Sequence, residues 1–180
     1  MKIILKRFII KAVCAVFVAG FAFLFTACGD EGESNSKKAS YALVGLNGNK
    51  ITFTQKEDIL STNYNKPYLL VFLSSWCDYC LGQAQHIANI NAEFGGNLNV
   101  YGIFVDKDES EDALKKFVED SATKFEWFYR GDIAKLVENY HISTFPFMLL
   151  YDKNGNLKQS YDGLTPEEMI AFDIKRILGE

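Results

Sequence analysis

At 180 residues, with 48% apolar and 14% aromatic side chains, the chain can hold one domain with a sizeable core plus an appendage. Its formal charge is −4, but the segment from Met1 to Ala27 carries four cations (Lys2, Lys6, Arg7, Lys11) and no acid; taking four from 19 Lys and Arg leaves 15 against 23 Asp and Glu, a net of −8 for the rest. That balance excludes a nucleic-acid surface, or one built for anionic membranes, on the folded part.

Met1 to Lys11 is a basic segment, and the run from Ala12 to Ala27 carries no charge. As a helix that run is roughly 24 Å long, short of the roughly 30 Å hydrocarbon core, so it reads as a signal-peptide core over residues 1–27. It ends in Phe25-Thr26-Ala27-Cys28, which resembles a bacterial lipobox, with Phe25 where Leu is usual. The resemblance implies a lipidated Cys28 as the mature N-terminus; an uncleaved anchor and ordinary secretion are the competing readings. Residues 28–40 then read as a flexible tether from Cys28: Gly29 to Ser40 is polar and Gly/Ser-rich, with a reach of at most about 40 Å. The folded domain is expected over residues 41–180.

Tyr41–Leu46, Asn47-Gly48-Asn49 and Lys50–Thr54 read as strand, Asn-Gly turn and strand. Gln55 to Ser61 reads as a short helix or turn. Tyr68 to Leu73 is a continuous apolar run of buried-strand length, followed by Ser74-Ser75-Trp76-Cys77-Asp78-Tyr79-Cys80 and a helical pattern to about Phe94. A strand that feeds a helix through Cys-x-x-Cys sets Cys77 at the helix N-terminus, where unpaired N–H groups and the helix dipole favour a thiolate. Cys80, one turn on, is near enough to close a small disulfide ring with it. The pair is thus an attacking and a resolving thiol. Half a zinc site and an inert staple are the alternatives; the mature chain offers no second Cys or Cys/His pair to complete the first.

Leu98 to Val105 is the next strand, and Ser110 can cap a helix to about Asp120. Phe125 to Tyr129 reads as a short edge strand and Asp132 to Asn139 as a helix capped by Asp132. His141 to Pro146 is a loop, Phe147 to Tyr151 a buried strand, and Leu157 to Tyr161 a returning edge strand. Thr165-Pro166-Glu167-Glu168 has the signature of a helix start, with Thr165 as N-cap, for a helix to about Leu178. This order predicts an α/β sandwich with a mixed sheet.

The WCxxC after an apolar strand, with Pro146 before a second apolar strand, resembles thioredoxin. Over about residues 41–180 the chain looks most like the extracytoplasmic TlpA/ResA-like branch related to cytochrome c maturation, which shares the N-terminal hairpin and the run from Tyr140-His141-Ile142 to Leu157. The resemblance implies a three-layer thioredoxin-like sandwich with helices on both faces of a mixed sheet and an extra N-terminal β-hairpin. It implies a cis Phe145–Pro146 peptide against the disulfide, with no N–H offered by Pro146 and the Phe145 backbone free to pair with an extended substrate. Trp76 would pack beside the disulfide and shape the substrate surface. Val71 stands where thioredoxin has a buried carboxylate, and Gln83 where the cytochrome-maturation relatives have Glu. Gln83 can hydrogen-bond but cannot titrate, so no proton acceptor for Cys80 is identified.

The expectation is a membrane-anchored extracytoplasmic thiol-disulfide oxidoreductase with Cys77 as nucleophile and Cys80 as resolving thiol, needing no cofactor beyond its own disulfide and no metal. Its partners would be exported cysteine proteins, with apocytochrome c one candidate, and a membrane thiol electron donor. The alternatives are a copper or haem-assembly chaperone using Cys77 and Cys80 as soft ligands, against which the absence of a well-placed His counts, and an oxidant or isomerase on the same fold. His86, about half a helical turn round from Cys77, is expected to face away from the sulfurs; a surface or capping role is expected for His141.

Overall fold

The computed structural model describes residues 38–180. The leader, Cys28 and most of the tether lie outside the described residues. Eight strands form one sheet: β1 (Lys38–Gly45), β2 (Lys50–Lys56), β3 (Ile59–Ser61), β4 (Tyr68–Leu73), β5 (Asn99–Phe104), β6 (Glu126–Gly131), β7 (Phe147–Tyr151) and β8 (Leu157–Asp162). Four helices accompany them: α1 (Cys80–Phe94), α2 (Glu111–Asp120), α3 (Ile133–Asn139) and α4 (Glu167–Leu178). None of the described helices is long and apolar enough to cross a membrane.

The sheet order is β3-β2-β1-β6-β5-β4-β7-β8. β4 is parallel to β5 and antiparallel to β7, so the sheet is mixed and β4 is interior. All six residues of β4 are buried, which is why they read as an unbroken apolar run rather than an alternation. Leu69, Val71 and Leu73 point into a core with residues of α1, α2 and α4; Leu70 and Phe72 point into a second core with Ile133 and Leu136 of α3. Helices therefore cover both faces. This is the three-layer thioredoxin-like sandwich with its N-terminal hairpin.

Several elements differ from the sequence reading. β1 begins at Lys38, inside the stretch read as tether. Residues 59–61, within the expected helix or turn, form β3. β3 pairs antiparallel with β2, and Leu60 N–H donates to the Gly155 carbonyl at 2.9 Å, tying it to the β7–β8 turn. Gly155 has φ +82°, and a Cβ there would lie 2.3 Å from the Leu60 carbonyl oxygen, so only glycine fits. The space between is filled by aromatics, with Tyr68 stacked on Tyr151 at 4.8 Å. Burial pushes both phenols well above the ordinary tyrosine range.

β6 is interior, not an edge, because β1 adds to it on the side away from β5. Asp132 is the N-cap residue of α3, as the sequence predicts, but its side chain makes no capping hydrogen bond. Its carboxylate accepts from Lys135 Nζ and from Ala42 N–H, which hold it below the usual carboxylate range and pin β1 to the start of α3. Ser110 does cap α2, its Oγ accepting from Ala113 N–H at 3.2 Å. At α4 the N-cap is Pro166 rather than Thr165, whose hydroxyl donates to the Gly163 carbonyl instead.

The turn after β7 is built on Asp152. Burial opposes its ionisation, but bonds from the Asn156 amide and Lys158 Nζ, then from the Asn156 and Asn154 N–H groups, outweigh that and hold its carboxyl at about 2. A depressed carboxyl contributes stability that is present above its unfolded value of about 3.9 and lost as pH falls towards 2. We expect Asp152→Ala to cost about 2 kcal/mol near neutral pH, with the gap to the parent closing between about pH 4 and 2 in urea titrations. A gap independent of pH over that window would refute the linkage.

Candidate active site

β4 delivers the chain to the site, and the end of β5 fixes the turn that β4 leads into. Ser74 is fully buried and its Oγ donates to Asp106 Oδ1 at 2.5 Å; Ser75 N–H donates to Asp106 Oδ2 at 2.9 Å. Ser75 Oγ donates to Glu109 Oε2 at 3.0 Å. Two carboxylates just past β5 thus clamp the two residues before Trp76-Cys77. From sequence, Asp106 to Ser110 reads only as a polar turn, because nothing local in it shows a partner on the far side of α1.

Cys80 N–H donates to the Cys77 carbonyl at 3.0 Å, closing a tight turn, and α1 proper begins at Cys80. Cys77 therefore sits one turn ahead of the first α-helical residue. The two sulfurs form a disulfide across a Cα separation of 5.3 Å, within the usual range. They are unequal: Cys80 is 0% exposed, whereas Cys77 is half-buried at the surface.

The Phe145–Pro146 peptide is cis. Cys77 Sγ lies 3.4 Å from the Phe145 carbonyl oxygen, so the reduced thiol can donate to it. The Pro146 carbonyl accepts from Gly163 N–H at 2.9 Å, and Thr144 Oγ1 donates to Asp162, so the end of β8 holds the loop in place. Trp76 is 71% exposed and meets Phe145 edge-on at 6.3 Å. Tyr79 is also largely exposed, so the disulfide is flanked by two aromatic side chains in solvent.

A groove of about 1110 Å³ starts at Trp76 and Phe145 and runs past Tyr129 and Arg130 to Val137 and Ile142 of the α3 region. Arg130 lies over the Tyr129 ring at 4.6 Å. His141 is exposed, lines this groove and ends α3 in the left-handed region at φ 52°. His86 is half-buried on α1, its Nδ1 without a partner. Val71 is fully buried beneath the site, and so is Gln83, whose Oε1 accepts from Thr165 N–H at 2.7 Å.

Residues 46–173 match the AhpC/TSA family. The chain belongs to that family. No curated protein matches it. Solved structures do, at low identity. StoA from Bacillus subtilis is 17% identical with a TM-score of 0.61, over 77% of this chain and 98% of that one. The pneumococcal exposed lipoprotein thioredoxin Etrx1 from Streptococcus pneumoniae is 22% identical with a TM-score of 0.59, over 77% and 99%. A thiol:disulfide interchange protein of the thioredoxin family from Chlorobium tepidum is 16% identical with a TM-score of 0.63, over 78% and 94%. At these identities the solved structures speak for the fold. Family and site together make this AhpC/TSA chain a thioredoxin-like thiol-disulfide oxidoreductase with a Cys77–Cys80 redox pair.

Proposed function

We propose that the protein is a TlpA/ResA-like reductant of exported cysteine proteins, lipid-anchored outside the cytoplasmic membrane through Cys28. Cys77 attacks the substrate disulfide and Cys80 resolves the mixed disulfide. The inequality of the sulfurs carries this reading: a nucleophile must reach its substrate, and Cys77 has the surface while Cys80 has none. Phe145, through its carbonyl beside Cys77 Sγ, and Trp76 flank the place where an extended substrate would lie. Apocytochrome c, with its paired cysteines, is a substrate of the right class, and a membrane dithiol is the electron donor the cycle requires.

Direction follows from charge. A strong oxidant owes its potential to a stabilised thiolate. Here Asp78, exposed and next in the chain to Cys77, opposes that stabilisation. The couple should therefore lie nearer the roughly −270 mV of a reducing thioredoxin than the roughly −120 mV of a strong oxidant. Equilibration with glutathione or dithiothreitol buffers measures it, and a value near the upper figure would reverse the direction.

The anchor has a separate test. The exposed-lipoprotein name of the pneumococcal neighbour supports a lipid anchor for this chain. Cys28→Ala should release the protein from the membrane fraction or leave it unprocessed. A variant still processed and membrane-bound would rule out lipidation at Cys28.

A further inference from the structure

Gln83 is fully buried on the inward face of α1, one turn beyond Cys80, on the face that also carries Ala84 and Ile87. Its Oε1 accepts from the Thr165 N–H. A backbone N–H can be met only by an acceptor, so this bond decides which way the amide lies: oxygen towards Thr165, NH₂ away from it. Nε2 is buried and has no partner. Buried polar groups are almost always paired, so an orphaned amide donor in this position needs a reason.

The group that changes most in this neighbourhood during turnover is Cys80 Sγ. Side chains three apart on a helix are neighbours, with Cβ atoms about 5–6 Å apart, which leaves the Gln83 amide within reach of that sulfur. In the disulfide the sulfur is a weak acceptor. As a thiolate it is a strong one, and it is 0% exposed to water. We propose that Gln83 Nε2 donates a hydrogen bond to the buried Cys80 Sγ in the reduced and mixed-disulfide states, to the thiol before its proton leaves and more strongly to the thiolate afterwards. This rests on the reading of Cys80 as the resolving thiol.

The exchange then balances without a buried carboxylate. The Cys77 thiolate attacks one substrate sulfur and expels the other as a thiolate. Cys80 gives its proton to that leaving thiolate, and the Gln83 amide takes up the charge left on Cys80. The Cys80 thiolate attacks Cys77 Sγ, closing the protein disulfide and releasing the second substrate sulfur. Two electrons pass from the dithiol to the substrate disulfide.

The test reads the amide directly. In the full chain, the Gln83 side-chain N–H₂ proton resonance should move downfield when the disulfide is reduced. In a Cys77→Ser background it should titrate with Cys80. Gln83→Met, which keeps the volume and removes the donor, should raise the Cys80 pKa, read from the pH dependence of its alkylation by peptide mass spectrometry. It should also shift the Cys77–Cys80 equilibrium about tenfold towards the disulfide, or about 30 mV more negative. An amide resonance unmoved by reduction overturns the inference, and it does so without need of a folded variant. So does a Gln83→Met protein with unchanged Cys80 titration and potential. Substrate trapping through Cys80 instead of Cys77 would overturn the resolving role while leaving the amide readout intact, so the two failures are separable.

Discussion

Cys80→Ser is expected to accumulate mixed disulfides with substrate proteins on Cys77, while Cys77→Ser accumulates none and falls to the background rate of uncatalysed exchange. Both outcomes follow from the depth of the two sulfurs. Cys77 is partly exposed and within 3.4 Å of the Phe145 carbonyl, on the surface that Trp76 and Phe145 form together. A substrate sulfur arriving there meets Cys77 first. Within the protein, the thiolate positioned to break the bond it forms is Cys80, one turn away. Serine at position 80 cannot attack, so the adduct persists until external thiol removes it. Serine at position 77 leaves Cys80 alone, fully buried and unable to meet a protein disulfide without the active-site turn opening. Non-reducing gels of the two variants expressed in cells, with adducts mapped by mass spectrometry, decide it. Adducts on Cys80 in the Cys77→Ser protein would show that the turn opens readily and that the assignment is inverted.

Much of this site is legible in the sequence because it is local. β4 announces itself as an unbroken apolar run, and the turn from it into α1 carries both cysteines. Pro146 is legible only through resemblance, since two strands and two helices intervene between α1 and the loop and hide its proximity to the sulfurs. The clamp of Ser74 and Ser75 by Asp106 and Glu109 is not legible at all: hydrophilic residues after a strand read as solvent-facing turn. The same limit explains β6. Its own residues cannot say that β1 will pair with it, so a short aromatic strand reads as an edge. Neither Asp132 nor Thr165 makes a side-chain cap, because another partner takes each polar group: the distant Ala42 N–H and the neighbouring Lys135 take the Asp132 carboxylate, and the nearby Gly163 carbonyl takes the Thr165 hydroxyl.

Gly102→Val should be the most damaging single change outside the sulfurs. Gly102 is central in β5, paired with Val71 of β4 on one side and Trp127 of β6 on the other. A glycine in an interior strand weakens it unless something needs the space. Here the Trp127 indole lies over the glycine: an added Cβ would sit 2.3 Å from Cε3 and 2.5 Å from Cδ2. The indole has no room to yield. It is stacked between Phe104 at 4.6 Å and Phe125 at 5.0 Å, with its Nε1 donating to Thr123 Oγ1 at 2.8 Å. Even Gly102→Ala must displace it or move β5, at a cost of about 2–3 kcal/mol, and valine should exceed about 4 kcal/mol. Against a total stability of about 5–15 kcal/mol, the valine variant would lose a large share of its margin against unfolding. The damage should reach the site before unfolding does, because the carboxylates of Asp106 and Glu109 that clamp the active-site turn hang from the end of β5. Urea titration of Gly102→Ala should show a lowered midpoint, and adding Trp127→Leu should recover part of the loss, since the double variant opens the space the methyl group needs. A Gly102→Ala protein within about 0.5 kcal/mol of the parent would mean the indole moves freely.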